Sequence, residues 1–321
     1  MGSEMFLIVN PIAGSGRTGK KLNKILPVVK EYFGEIEYEL TQGPRDEISI
    51  AEKAINDGYK VLISLGGDGT ASNIGDVLTE HPTVKLGMLA GGSMNDWGRT
   101  HSVPLDLKSN LEMIQEGYSE TFPAMKCTGD RVRYAFDHVD GGFVAEAGAA
   151  AQHEAKWIKS GVLKYTYLAL KYVIKFKNTP VKIKIDDKDT VSIDDFSASV
   201  FGFGDDIGGF RILPGNTHYC RRNNDIGFVF ARGLKGIRRI MLLLKTFSGK
   251  HVEMKGVWLT RGNELIIESE RPLIWEAEGE VFNERELKVN IEYVKDAINL
   301  IVPQERNYPD ESNESIYYKE L

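Results

Sequence analysis

Lys60-Val61-Leu62-Ile63-Ser64-Leu65-Gly66-Gly67-Asp68-Gly69-Thr70 is the stretch on which the fold is read. An apolar, β-prone run stops at paired glycines, and Ala71–Leu78 continues with helical spacing. Where a strand ends in glycines and turns into a helix, the backbone can approach a phosphate closely and aim its N–H groups at it. Thr70 can cap the helix and Asp68 can engage a metal-bound nucleotide. Spacing alone equally allows a tight turn in which Asp68 is only a helix cap.

The same alternation extends to both sides. Phe6–Val9 reads as a first strand and runs into Asn10-Pro11-Ile12-Ala13-Gly14-Ser15-Gly16-Arg17, with a helix over Lys20–Tyr32. Glu35–Leu40 is a second strand with Thr41 at its end, and Glu47–Asp57 a second helix. Lys85–Leu89 is a further strand leading into Gly91-Gly92-Ser93-Met94-Asn95-Asp96. Alternating strands and helices predict a parallel sheet, and ligands of open α/β sheets bind at the carboxyl ends of strands, where these loops fall. The first loop is neither G-x-G-x-x-G nor a P-loop, which argues against a dinucleotide fingerprint or a Walker ATPase.

Beyond residue 125 most segments are β-like. Val181–Ile185, Phe196–Phe203, Gly227–Phe230, Val252–Leu259, Glu264–Ile267 and Leu287–Ile291 predict a sandwich or barrel. Two stretches with helical spacing interrupt them. In 156–184, Lys156, Lys159, Lys164, Lys171, Lys175, Lys177, Lys182 and Lys184 interleave with Trp157, Tyr165, Tyr167, Tyr172 and Phe176, without an acidic residue between Glu154 and Asp186. In 232–250, Arg232, Lys235, Arg238, Arg239, Lys245 and Lys250 surround Met241–Leu244. Such stretches are solvated helix faces or a membrane-surface contact.

The chain has 321 residues, 42% hydrophobic and 27% charged, which is globular composition with room for two cores. A net charge of −6 gives no basic excess, so nucleic acid is not an expected partner. Cys127 and Cys220 are too few for a disulfide framework or a zinc site and suit a reducing cytosol. The start, Met1-Gly2-Ser3-Glu4-Met5, shows no basic region or cleavage site of a secretory signal. No uncharged apolar run reaches the ~18 residues that span a bilayer. The expectation is a cytoplasmic protein that meets a membrane peripherally. The six histidines, His81, His101, His138, His153, His218 and His251, show no metal-ligand spacing and read as structural or surface residues. The tail with Asp310, Glu311, Glu314 and Glu320 reads as frayed or loosely docked.

Four motifs in order, Asn10-Pro11 with Gly14-Ser15-Gly16, Gly66–Thr70, Gly92–Asp96 and Glu278-Gly279-Glu280, resemble the diacylglycerol kinase catalytic family. The chain is most similar to the soluble bacterial diacylglycerol kinase and YegS-like lipid kinases, relatives of sphingosine and ceramide kinases. The resemblance implies an N-terminal α/β nucleotide-binding domain, Rossmann-like and akin to NAD kinases, over residues 1–125, completed by segment 292–321. It also implies a C-terminal β-sandwich over 126–291 that accepts a lipid, with the active site in the cleft between the domains. By the same resemblance ATP is surrounded by Asn10, Thr41, Gly66, Gly67, Asp68, Gly69, Thr70, Ser93, Asn95 and Asp96, with Asp68 helping to hold the catalytic Mg²⁺. A carboxylate of the Asp-Gly-Glu motif takes the proton from a lipid hydroxyl, so Glu280 is the favoured base and Glu278 the contender. Phosphoryl transfer asks for such parts.

The chain departs from the family pattern at identifiable places. Ala90-Gly91-Gly92-Ser93-Met94-Asn95-Asp96 stands where Pro-Leu-Gly-Thr-Gly-Asn-Asp is usual, and Glu278 stands where Asp is usual. Asn223-Asn224-Asp225-Ile226-Gly227 matches a structural Mg²⁺ segment, Asp-Gly-x-Leu-Asp, with Asp225 its only carboxylate, so that metal is expected to be weak or missing. A diacylglycerol-type acceptor is the leading expectation, and a homodimer is compatible with it. An NAD kinase-like enzyme and a catalytically degenerate nucleotide- or lipid-binding regulator stay open as alternatives.

Overall fold

The structure, a computed structural model, describes residues 4–92, 95–151, 154–155, 157–158, 161–214, 220 and 223–305. Ser93, Met94, Lys156, Lys159, His153, His218 and the acidic tail residues lie outside the described residues, as does the side chain of Tyr165. The chain forms two compact units, one running to Ala124 and resuming at Lys295, the other Met125–Val294.

In the first unit, strands β1 (Met5–Val9), β2 (Glu37–Leu40), β3 (Val61–Gly66) and β4 (Lys85–Ala90) are parallel in the order β2-β1-β3-β4. Their connections are helices α1 (Ala13–Phe33), α2 (Asp46–Asn56) and α3 (Asp68–Leu78). Leu7, Ile8, Val9, Leu62 and Ile63 are fully buried, as expected of strands covered on both faces. The order reverses direction on either side of β1, so the crevice at the carboxyl ends of β1 and β3 is the topological switch point. Two short helices follow, α4 (Asp96–Thr100) and α5 (Leu107–Glu116), which the apolar periodicity did not single out.

The second unit is mainly antiparallel. After β5 (Ser119–Thr128), which enters it, come β6 (Val132–Ala135), β7 (His138–Gly142), β8 (Thr179–Ile185) and β9 (Val191–Gly202). A small hairpin of β10 (Asp206–Ile207) and β11 (Phe210–Arg211) precedes β12 (Ile226–Arg232), β13 (Val257–Gly262) and β14 (Glu264–Ser269). β15 (Trp275–Ala277), β16 (Glu280–Asn283) and the long β17 (Lys288–Ile301) complete the set. β9 pairs with β8 through its first half and with β7 and β12 through its second. Phe196, Phe201, Phe228, Phe230 and Trp275 fill one apolar core. From Lys295 onward β17 belongs to the first unit, where Asn299 and Leu300 pair in parallel with Lys85 and Leu86.

The second unit also holds helices α6 (Phe143–Ala151), α7 (Gly161–Lys175) and α8 (Ile237–Thr246). Within the basic stretch 156–184 the helix ends at Lys175, before Asn178-Thr179-Pro180, and the strand expected over Val181–Ile185 follows as part of β8. The strand expected over Val252–Leu259 starts only at Val257. Lys250–Glu253 is instead a 3₁₀ turn, bounded by Gly249 and Gly256 at positive φ and tied down by the His251 ring on the Ile212 carbonyl.

Arg239 of α8 ties the two basic helices together. Its guanidinium, buried beside the ring of Phe176, donates to the Leu234 carbonyl at 2.7 Å, to Val173 at 2.6 Å, to Phe176 at 2.8 Å and to the Asn178 side chain. The carbonyls of Val173 and Phe176 are those left open by the end of α7. Burial lowers the guanidinium pKa, yet the planar fork meets four oxygens at once. Replacing it by Arg239→Met is expected to cost about 3 kcal/mol, since buried carbonyls lose their donors. Calorimetric melting should show a loss of several degrees, and Arg239→Lys should recover less than half of it.

Candidate functional site

The loops at the carboxyl ends of β1, β3 and β4 are built around glycines that let backbones touch. Gly91 donates its N–H to the Gly66 carbonyl at 2.7 Å, and a Cβ on Gly92 would lie 2.5 Å from the Gly67 Cα. Only glycine at these positions lets the β3 and β4 loops approach this closely. In the β1 loop, Gly14, Ser15 and Gly16 all have positive φ, and Thr18 beyond them donates its hydroxyl to the Gly91 carbonyl at 3.0 Å. The opening Asn10 N–H bonds the Leu65 carbonyl at 3.0 Å, and the Thr41 N–H bonds Val9 at 2.9 Å. Asn10, Thr41, Gly66–Thr70 and Asn95–Asp96 therefore lie along one edge of the first unit.

Individual side chains differ from their expected orientations. Thr70 does not cap α3, whose N-cap is Gly67 with no side-chain cap. Its hydroxyl is buried, accepts from the Asn10 amide at 2.9 Å and donates to Glu47 Oε1 at 3.4 Å. With glycine as its N-cap, α3 starts where backbone can approach a phosphate closely. Asp68 accepts the Trp97 N–H at 3.1 Å, joining the second motif to the start of α4. Asn95 sits in the left-handed region and accepts the Gly92 N–H at 3.1 Å, closing the loop that follows β4.

Glu47 was legible only as the first residue of the helix expected over Glu47–Asp57. It is buried, with Oε1 accepting from Asn10 at 3.0 Å and from Thr70, and Oε2 accepting from Asn73 at 3.4 Å. Burial raises its pKa, against the lowering effect of its own backbone N–H and of Asn73, Thr70 and Asn10. The available signal was its register with Ile50, Ala51 and Ala54, the buried face of α2.

In the second unit Glu278 and Gly279 form the two-residue loop of the β15–β16 hairpin, with φ of 53° and 81°. Positive φ at both residues is a type I′ turn, which favours Asn-Gly or Asp-Gly, so Glu278 accepts strain there. Glu278 Oε1 accepts the N–H groups of Phe136 at 2.5 Å and Asp137 at 2.7 Å. Glu280 Oε2 pairs with the buried Arg133 at 3.0 Å, while its side chain stays 23% exposed.

Beside this hairpin lies a charged group that residue spacing did not reveal. Asp140 and Glu276 stand directly opposite each other on β7 and β15. Two facing carboxylates repel, and burial pushes Glu276 well above the carboxylate range, so it keeps its proton and donates to Asp140. Gly148 of α6 makes the room, since any Cβ there would collide with Glu276. His138 Nδ1 lies 3.1 Å from Asp137. Burial disfavours its charged form, but Asp137, Asp140 and Glu278 outweigh this and raise its pKa to about 10. It is therefore a partly buried, structural member of this charged group.

Comparison with known proteins places the chain. Residues 4–127 match the family model described as the diacylglycerol kinase catalytic domain. Residues 138–302 match that described as the YegS C-terminal NAD kinase beta sandwich-like domain. The chain belongs to the diacylglycerol kinase catalytic family, of the YegS-like type. It is 23% identical over 300 residues to a diacylglycerol kinase of Staphylococcus carnosus, covering 93% of this chain and 95% of that one. It is 28% identical over 181 residues to a diacylglycerol kinase of Staphylococcus aureus, covering 56% of each chain, so this match spans about half of that relative. A solved diacylglycerol kinase structure from Bacillus anthracis str. Sterne superposes with a TM-score of 0.67 at 17% identity, covering 94% of this chain and 97% of the other. A yeast NADH kinase does so at 0.51 and 12%, covering 94% and 84%, which marks the shared α/β plus β-sandwich fold.

Asp225, the carboxylate expected at a structural metal, accepts a hydrogen bond from the Cys220 thiol and lies near the Arg261 guanidinium. One carboxylate with a thiol and a cation beside it does not fit a Mg²⁺ site. Among the described residues no group of three metal-binding side chains occurs. At Asp68 the fit is better, because Mg²⁺ in nucleotide sites uses one or two carboxylates and the phosphates themselves.

A histidine with a raised folded pKa stabilises below its unfolded value of about 6.5 and loses that contribution as the pH rises through the folded value. For His138 the loss begins above about pH 6.5 and is complete near pH 10. The melting temperature of the wild type should therefore fall between about pH 7 and pH 10 more steeply than that of His138→Gln.

Proposed function

We propose that this phosphotransferase is an ATP-dependent lipid kinase that moves the γ-phosphoryl of Mg-ATP to the hydroxyl of a diacylglycerol-type lipid. The observation that carries the reading is the set of three glycine-built loops at the switch point of the first unit, in a chain of this family. Phosphoryl transfer needs positioned N–H donors, charge neutralisation and one carboxylate near the attacking oxygen. Asp68 would share Mg²⁺ with the nucleotide phosphates, and the metal when bound supplies charge neutralisation. The backbone around Gly66–Gly69 would hold the phosphates, with Asn95 and Asp96 bounding them and Ser93 contributing a hydroxyl.

Accessibility supports Glu280 over Glu278 as the group that takes the proton. Both oxygens of Glu278 are withdrawn: one holds two backbone amides and the other is buried. Glu280 is oriented by Arg133 and partly exposed. Glu278 then serves to fix the hairpin on which Glu280 sits.

The lipid acceptor implies contact with a membrane surface. No helix of the described residues is long and apolar enough to cross a membrane. Of the fifteen large apolar residues that are exposed among the described residues, nine fall between Trp157 and Phe247 on or beside α7 and α8. Leu163, Tyr167, Leu170 and Ile174 recur along α7, and Ile237, Met241 and Leu244 along α8, with Lys175, Arg238 and Lys245 beside them. Apolar rows flanked by cations suit an anionic bilayer surface.

Transfer of labelled phosphate from ATP to detergent-dispersed lipid alcohols, with NAD alongside, tests the reading: label on diacylglycerol is expected, and label on NAD alone overturns it. Glu280→Gln should lower kcat by at least about 100-fold and Asp68→Ala should abolish turnover, whereas Glu278→Gln should chiefly lower the melting temperature. The double change Ile174→Glu with Leu244→Glu should weaken binding to anionic vesicles by at least about 10-fold while leaving transfer to a detergent-dispersed acceptor within about twofold.

A further inference from the structure

Glu47 is a buried carboxylate whose hydrogen-bond partners are all neutral: the Asn10 amide, the Thr70 hydroxyl, the Asn73 amide and its own backbone N–H. Burying a carboxylate without a cation is costly, and the neighbouring positions on the same face of α2 are the apolar Ile50, Ala51 and Ala54. An apolar residue would serve packing at less cost. What Glu47 does that they cannot is accept three donors, one from the β1 loop and two from α3.

Asn10 belongs to the loop after β1, and Thr70 and Asn73 belong to α3 after β3. The Asn10 amide donates both to Glu47 and to Thr70, and its Oδ1 accepts the Ile12 N–H at 3.2 Å. Its two N–H bonds are thus used inside the protein. The Thr70 hydroxyl is held the same way, and it lies against Gly66, where any Cβ would collide with it.

Resting on the nucleotide-site reading above, we infer that Glu47 is a positioning residue for ATP. It locks the β1 loop to the first turns of α3 across the switch point, and Asn10 acts through it rather than by an independent contact with the nucleotide.

Equilibrium binding of Mg-ATP to the full chain, measured by titration calorimetry, tests this with Glu47→Ala, Glu47→Gln, Asn10→Ala and the Glu47→Ala/Asn10→Ala pair, each with its melting temperature. Glu47→Ala should weaken ATP binding about 10-fold, and Glu47→Gln, which keeps the acceptor for Asn10 and Thr70, should stay within about threefold of wild type. Asn10→Ala should also cost about 10-fold, and the pair no more than about threefold beyond Glu47→Ala alone. In turnover, KM for ATP should rise while KM for the lipid is unchanged. Additive losses of about 100-fold in the pair would show that Asn10 meets the nucleotide independently and overturn the inference, as would wild-type affinity in Glu47→Ala. If Glu47→Ala does not fold, Glu47→Asp replaces it: withdrawing the carboxylate by one methylene should weaken ATP binding measurably, and unchanged affinity overturns the inference. A wild type that binds no ATP overturns the kinase reading and the role of Glu47 with it, whereas ATP binding that is indifferent to residue 47 overturns the latter alone.

Discussion

The edge of the first unit at the carboxyl ends of its strands depends on how closely the backbones after β3 and β4 approach. Gly67 and Gly92 face each other without side chains, and the Gly91 N–H reaches the Gly66 carbonyl. A methyl group on either face would push the loops apart and move the N-terminus of α3 with them. Everything else at this edge follows from that contact: Thr18 can reach Gly91, Asp68 can reach the Trp97 N–H, and Thr70 can lie against Gly66. The glycines of these motifs are therefore structural in a strict sense, because they set the spacing between loops before any ligand is considered.

Polar burial organises both units, by different means. In the first, one carboxylate at the start of α2 is met by amides and a hydroxyl. In the second, the partly buried His138 lies among Asp137, Asp140 and Glu278, which raise its pKa, while burial and the facing Asp140 raise that of Glu276. The hairpin bearing Glu280 is tied to this group through Glu278, whose main-chain N–H also reaches the His138 carbonyl at 3.2 Å. Arg239 solves a third case, a cation satisfied by oxygens at and just beyond the end of α7 and by the Leu234 carbonyl. Each arrangement uses burial to make neighbouring elements depend on one another, since a single lost partner leaves a polar group dry.

Much of the fold was legible in the sequence because it rests on local periodicity. The strands ending at Val9, Leu40, Gly66 and Ala90 lie within a residue or so of their expected ends, since apolar runs stop where Gly or polar loop residues begin. The strand expected from Val252 failed because a local alternation of apolar residues there is overridden by two positive-φ glycines and by the contact of His251 with Ile212. The strand expected over Val181–Ile185 is present, since its alternation of apolar and charged residues is local and follows the residues that break the helix.

By itself, the sequence determined the order of the elements, the glycine loops at strand ends and the family to which those motifs belong. All of these are properties of neighbours along the chain or of ordered short motifs. The tertiary structure alone decided that Glu47 closes on Asn10 and Thr70, that Asp140 faces Glu276, and that Thr70 turns away from the helix it was expected to cap. Those partners are separated by tens of residues or more in the chain. Their interactions depend on strand register and on which face of a helix is buried, and neither is written in the spacing of any single motif.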